Sequence, residues 1–371
     1  MASVALKSVH KYYLSEKKTV HAVDDLNLDI ADGEFVAVLG PSGCGKSSTM
    51  RMIAGLEAVT LGSILIDGRE VNALSPAQRN IALAFESYAL YQHMTIEENI
   101  GFCLDVRKVE PTEIKRRVHE IADLLGISDI LGVRPGSLSG GKQQLVSLAR
   151  AIVRKPNVIL LDEPISHLDT ITRLDVSMRI REIHNQTGIT MIYVTHNQEE
   201  ALALADRIVI MDNGRLQQTG KRDQIINEPV NTFVATFVGE PPINFIPCGI
   251  KEEGQKKYVV SPEGKIRFTL TEKQSEAIRR ENLDTVNIGI RPRDLSTVKR
   301  EGHYEEVIGR IHYSEFIGET TNLGVEYEKG SQIVASVAPG RDLKKGNECI
   351  LYFDTNKLLI FSLSTNLRLA C

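Results

Sequence analysis

The sequence holds no apolar run near the roughly 18 residues that a membrane-spanning helix needs. Its start, MASVALKSVHKYY, has no long apolar stretch of a secretory signal, so the chain is expected to stay on the side of the membrane where it is made. Cysteine is sparse. Cys44, Cys103, Cys248, Cys349 and Cys371 are odd in number, scattered and without a CxxC pair. That argues against a disulfide framework or a zinc site and fits a reducing compartment. Charge of one sign is missing as well. Lys and Arg total 44 against 48 Asp and Glu, a net charge of -4, which gives no electrostatic reason to expect a nucleic-acid partner. No internal repeat or low-complexity tract stands out.

What is present is the balance of an ordinary globular protein, 42% hydrophobic and 25% charged over 371 residues. That length predicts two domains. The first part reads α/β. LNLDI and EFVAVLG are short β-rich runs. NVILLDEP and ITMIYVTH are continuous apolar runs of strand length that end in polar residues. RIVIMDNGRLQQTG predicts a hairpin turning at Asn213-Gly214, and helical spacing covers Thr112 to Leu125 and Arg173 to Asn185. After Glu240-Pro241-Pro242 the chain becomes a series of short strands with a single helical interruption, EKQSEAIRREN. The expected organisation is a first domain over 1–240 and a β-rich barrel or sandwich over 241–371.

Gly40-Pro41-Ser42-Gly43-Cys44-Gly45-Lys46-Ser47 fits G-x-x-x-x-G-K-[ST] directly after the strand EFVAVL, the context that gives this motif meaning. Its glycines let backbone N–H groups curl around a phosphate, and the helix starting near Lys46 points its N-terminus at the same anion. Lys46 is expected to reach the β- and γ-phosphates of ATP and Ser47 to ligate Mg²⁺, with Ser48 also among the nucleotide-binding residues. Val158-Ile159-Leu160-Leu161-Asp162-Glu163 is a second strand that ends in paired acids, which buried strands rarely do without a cation or a reaction nearby. Asp162 is expected to hold Mg²⁺ through water and Glu163 to act as general base on the attacking water.

Leu138-Ser139-Gly140-Gly141-Lys142-Gln143-Gln144 is another anion site by pattern: Ser139 as a helix N-cap, then two glycines that expose N–H groups. The helix is expected to run to about Arg154, before Pro156, and to bury Leu145, Leu148, Ala149 and Ile152. This segment resembles the LSGGQ signature of ABC ATPases. Gly289-Ile290-Arg291-Pro292 and Pro242-Ile243-Asn244-Phe245 are similar to the maltose-type sugar-importer branch of that family. The resemblance implies an α/β P-loop ABC ATPase domain with an inserted helical subdomain over about 87–157, then an OB-like regulatory domain.

It also implies that Ser139, Gly140, Gly141 and Lys142 act in trans on ATP bound to a second ATPase subunit, identical or not. By the same resemblance Tyr13 stacks on adenine, with Tyr12 the second candidate. Ser166-His167-Leu168-Asp169 is the D-loop, and His196 contacts the γ-phosphate. Tyr88, Ala89, Leu90, Tyr91, His93 and Met94 offer a groove to one of two membrane permease subunits. An external solute-binding protein completes such a system, and the chain would sit at the cytoplasmic face of the inner membrane. The C-terminal domain would stabilise the dimer and regulate it, or serve only as a packing module.

Three positions depart from the family pattern. Glu86 stands where Gln is expected as a ligand of Mg²⁺ or its water, Lys142 replaces Gln and Leu145 replaces Arg. Either these make the site degenerate and dependent on a different ATPase, or Glu86 and Lys142 border the same ATP in a homodimer and balance each other. The expected function is ATP hydrolysis driving uptake of a sugar, polyol or glycerol phosphate. The alternatives are import of polyamine, sulfate or ferric ion, or a soluble regulatory ABC ATPase.

Overall fold

The structure, a computed structural model, describes residues 2–15, 18–85, 87–254, 256–299, 304–340 and 342–370. They form two compact units, Met1–Arg222 and Asp223–Cys371.

The first unit opens with β1 (Val4–Ser15) and β2 (Lys18–Ile30), a long antiparallel pair interrupted by register shifts. The chain continues through β3 (Phe35–Leu39), α1 (Lys46–Ala54), β4 (Leu61–Ile66), β5 (Arg69–Glu70) and β6 (Ile81–Ala84). Next come α2 (Ile96–Asp105), α3 (Pro111–Leu125), α4 (Gly140–Ile152) and β7 (Val158–Asp162). The unit closes with α5 (Thr170–Thr187), β8 (Thr190–Thr195), α6 (Gln198–Leu204), β9 (Arg207–Asp212) and β10 (Arg215–Gly220). One sheet has the order β2-β1-β4-β5 and a second the order β10-β9-β3-β8-β7-β6.

The second sheet positions the chemistry. β3, β8, β7 and β6 run parallel, and β3 and β8 are buried at every residue, as strands covered on both faces must be. β8 lies between β3 and β7, so the loops leaving the carboxyl ends of these three strands emerge side by side. In open α/β sheets ligands bind at that edge. The expected hairpin is present: β9 and β10 pair antiparallel, and Asn213 and Gly214 take φ of 47° and 78°, the left-handed conformations of a two-residue turn.

The inserted helices bury one stripe each. Ile96, Ile100 and Leu104 of α2, Val118, Ala122 and Leu125 of α3, and Leu145, Leu148 and Ile152 of α4 share one core. Thr95 and Glu98 form a reciprocal cap on α2, and Gly126, at φ 65°, ends α3. Among the described residues no helix is long and apolar enough to cross a membrane.

α7 (Arg222–Asn227) begins at the division, and the second unit goes on with α8 (Thr232–Phe237), β11 (Asn244–Glu253), β12 (Lys256–Val260), β13 (Arg267–Thr269) and α9 (Glu272–Arg280). It continues with β14 (Thr285–Ile290), β15 (Leu295–Ser296), β16 (Tyr304–Phe316), β17 (Thr321–Glu328), β18 (Ser331–Val337), β19 (Glu348–Asp354) and β20 (Leu359–Ser362). Two five-stranded sheets, β13-β12-β11-β14-β20 and β15-β19-β16-β17-β18, enclose one core. Asn244 joins them. Its amide donates to the carbonyls of Ile290 and Val334 and accepts from the Val334 N–H.

The division into units falls at Arg222/Asp223, ahead of the 240/241 junction read from composition. The intervening helices are held by the second unit. Arg291 is buried and donates to the carbonyls of Ile226, Ala235 and Val238. Ala235 packs with Ile243 and Phe361.

Candidate functional site

Three loops meet at the carboxyl edge of the parallel sheet. The loop after β3 is Gly40 to Gly45, and its glycines serve different needs. A side chain on Gly40 would fall 2.3 Å from the Met211 carbonyl oxygen, and one on Gly45 would fall 2.3 Å from that of Ala22. Gly43 has open space around it but a φ of 81°. Gly45 caps α1 at φ 103° with no side-chain hydrogen bond, so the first N–H groups of the helix keep their donors for another partner. The Lys46 ammonium is buried and donates to the carbonyls of Gly40 at 2.8 Å and Pro41 at 2.9 Å. Cys44 lies beneath it, with Sγ at 3.8 Å from Nζ, and burial raises its thiol pKa. The Gly214 N–H donates to the Cys44 carbonyl, so the β9–β10 turn clasps the loop from behind.

Tyr13 and Ser48 sit together: the phenol oxygen is 3.1 Å from Ser48 Oγ and donates to Glu57. Burial, followed by the bond to Glu57, holds this phenol above its ordinary pKa. The ring is 39% exposed, with Lys11 Nζ 4.9 Å from its centroid. Tyr12 is otherwise engaged. Its hydroxyl meets His10 Nδ1 and its ring packs on His21 at 4.2 Å. Of the two tyrosines, only Tyr13 is tied to the phosphate-loop helix.

The second loop follows β7. Asp162 is its last residue and Glu163 turns out of the strand at φ 45°, a left-handed conformation that costs a non-glycine residue about 1–3 kcal/mol. Hydrogen bonds from both sides hold that turn. The Glu163 N–H donates to the Val194 carbonyl on β8, and Ser166 Oγ donates to the Glu163 carbonyl. The third loop follows β8 and brings His196 Nδ1 to 2.9 Å from Glu163 Oε2. A carboxylate and an imidazole from adjacent strands thus share a hydrogen bond beside the phosphate loop.

For Mg²⁺ the chain offers hard oxygen donors of the right kind, the Ser47 hydroxyl and the Asp162 carboxylate. Among the described residues no group of three or more His, Cys, Asp or Glu converges to hold an ion unaided. Such a set suits an ion that keeps waters and takes phosphate oxygens as its remaining ligands. Glu86, expected as a third ligand, lies outside the described residues.

The 138–144 segment is built differently and stands on the helical insertion. Ser139 caps α4, accepting from the Lys142 N–H at 3.5 Å, and is exposed. A side chain on Gly140 would meet the Tyr88 hydroxyl at 2.9 Å, and one on Gly141 would meet Thr172 Cγ2 at 2.2 Å. The signature helix is therefore pressed onto the start of α5. Asp169 caps α5, accepting from the Thr172 N–H at 3.1 Å, and the Thr172 hydroxyl, followed by this N–H, lowers its carboxyl pKa. Lys142 is directed at Asp129, Nζ to Oδ2 at 3.0 Å, a partner the sequence reading missed. Leu145 is buried in the helical core, which accounts for an apolar residue there.

Of the residues expected to form a groove, Tyr88, Ala89 and Tyr91 line a cavity of about 440 Å³ between the 82–91 segment, α2 and α4. Leu90 belongs to the core instead, and His93 and Met94 do not line the cavity. Tyr91 packs on Phe102 and under the Arg150 guanidinium, 4.7 Å from its ring. Arg107 and Arg154 line the same cavity, and none of these three arginines has a carboxylate partner among the described residues.

Residues 23–166 match the family model described as ABC transporter. The chain is 39% identical over its whole length to all of the oligosaccharides import ATP-binding protein of Bacillus subtilis. It is 39% identical over 98% of its length, and 99% of the relative's, to the trehalose/maltose import ATP-binding protein of Thermococcus litoralis. An ATP-binding cassette solved as a dimer with ADP and Pi, 30% identical, superposes with a TM-score of 0.53 over 59% of this chain and 98% of its own. Full-length identity of this order, with the three loops gathered at one sheet edge, shows that the chain belongs to the ATP-binding proteins of ABC transporters.

Proposed function

We propose that this chain is the ATP-hydrolysing subunit of an importer for oligosaccharides or related polar solutes, working as a pair of copies beneath two permease subunits. The Glu163–His196 hydrogen bond beside the phosphate loop is the observation that carries the hydrolytic part. In this reading Gly40 to Ser48 cradle the phosphates of ATP, Tyr13 flanks the adenine, and Lys46 turns from the loop carbonyls to the β- and γ-phosphates. Glu163 takes a proton from the attacking water, and His196 holds that carboxylate and the γ-phosphate in register. Mg²⁺, held by Ser47 and Asp162, supplies charge stabilisation on the transferring phosphoryl group. Ser139 is exposed at the start of α4, where its hydroxyl and the N–H groups of Gly140 and Gly141 can cap the γ-phosphate bound to the other copy, with Asp169 beside them. Each copy carries a complete phosphate loop and a complete signature turn, so a homodimer suffices.

The groove between the 82–91 segment, α2 and α4 is the permease contact, on the cytoplasmic face of the membrane. The solute class rests on the relatives, named for oligosaccharide, trehalose/maltose and osmoprotective-compound uptake. An external solute-binding protein belongs to the same reading.

Two experiments test the proposal. Glu163→Gln should bind ATP normally, accumulate as a closed dimer and lose hydrolysis by about 10²–10⁴-fold. Near wild-type hydrolysis would remove Glu163 from the role of base. Expression in a bacterium deprived of its oligosaccharide-import ATP-binding protein should restore uptake of labelled oligosaccharide. Failure to do so, with the ATPase active, would move the solute to another class.

A further inference from the structure

Behind the Glu163–His196 pair lies a buried carboxylate that takes no part in the proposed hydrolytic step. Glu200, on the first turn of α6, is 6% exposed. Its Oε2 accepts from the Tyr193 hydroxyl at 2.8 Å and from Thr195 Oγ1 at 2.9 Å, both on β8. Its Oε1 faces Arg173 Nε at 3.9 Å, from α5. Burying a carboxylate is costly unless hydrogen bonds and an opposite charge compensate, and here two hydroxyls and a guanidinium do so.

The partners lead to two different loops. Thr195 directly precedes His196 and also accepts from the Asn197 N–H at 2.9 Å, while Val194, between Tyr193 and Thr195, carries the carbonyl that holds the Glu163 N–H. Arg173 Nη2 donates to the Leu168 carbonyl at 2.9 Å, inside the 166–169 loop. Glu200 therefore fastens the end of β8 on one side and, on the other, places its charge 3.9 Å from the guanidinium that holds the 166–169 loop.

We infer that Glu200 and Arg173 are positioning residues for hydrolysis, fixing the 166–169 loop, which faces the second copy, in register with Glu163 and His196 at the chain's own ATP. This rests on the reading of Glu163 and His196 as the hydrolytic pair. Glu200 is buried against β8 and Arg173 is engaged with the Leu168 carbonyl, so removal of either should act on turnover and leave ATP binding alone.

The test uses full-length Glu200→Gln, Arg173→Met and the double variant, with kcat, KM, direct ATP binding and Tm measured on each. Both single variants should lose about 10–100-fold in kcat while ATP binding changes by less than about twofold. Each single variant also leaves one charge or polar group buried without its partner, which lowers Tm. The double variant removes both, so its Tm should recover while kcat stays low. Turnover that returns with Tm would make the pair merely structural and overturn the inference. Unchanged kcat in the single variants, or ATP binding that falls in step with kcat, would overturn it too. Glu163→Gln run alongside separates the two claims. Active Glu163→Gln sinks the base assignment, whereas inactive Glu163→Gln with active pair variants sinks only the positioning role.

Discussion

The chain contains two glycine-rich turns that each open a helix, and they are built for opposite purposes. The 40–47 turn faces inward. Its helix cap is a bare glycine, its lysine is buried against its own carbonyls, and β2 and the β9–β10 turn close around it. The 138–142 turn faces outward. Its cap is an exposed serine, its lysine is paired at the surface with Asp129, and its glycines exist so that α4 can press on Tyr88 and α5. The first turn has the features of a pocket that one chain completes. The second presents donors and no pocket, which suits a lid on something that another molecule brings. Two glycine-rich turns of similar sequence chemistry thus differ in whether the surrounding chain encloses them.

The sharpest way to break that contrast is to disable each turn alone. Lys46→Ala should lower hydrolysis by about 10³-fold and weaken ATP binding, because it strips a charge from an enclosed site. Ser139→Ala should lower hydrolysis by about 10²-fold yet leave ATP binding by the isolated chain unchanged. Equal loss of ATP affinity in both would mean that the signature serves its own chain.

Enclosure should also show in stability. Gly45→Ala combines a forbidden φ with backbone overlap and should destabilise by about 3 kcal/mol or more, read by denaturant unfolding. Gly43→Ala has the same handedness problem but free space, so it should cost about 1–2 kcal/mol. Similar losses at the two positions would mean that the loop relaxes away from Ala22.

The smallest effect is expected at Lys142. Its pair with Asp129 is solvent-exposed, so Lys142→Gln should leave Tm unchanged and move turnover by less than about threefold. A large fall in turnover would mean that Lys142 leaves Asp129 to act on the other copy.

Much of this was legible in the sequence, for physical reasons that apply residue by residue. β7 and β8 are unbroken apolar runs because both their faces are covered, and the Asn213-Gly214 turn needs two left-handed residues. The long β1–β2 pair was read only at LNLDI, since its register shifts break the alternation that marks a strand. The 223–240 segment reads like the rest of the first domain, and contacts with residues distant in sequence, the buried Arg291 and Phe361 among them, assign it to the second unit. Glu200 looks like the second of two surface acids in a helix's first turn. Nothing local says that it points at Tyr193 and Thr195 instead of water. Lys142 could be paired with Asp129 only once the fold brought the start of α4 beside the 128–130 turn.

In the proposed function hydrolysis needs two copies, each completing the other's site. The direct test is the ATPase rate per subunit over a dilution series, with the oligomeric state followed by sedimentation in the same samples. The rate per subunit should fall away with the dimer, and monomers should bind ATP without hydrolysing it. A rate per subunit that holds steady into the monomer range would contradict it.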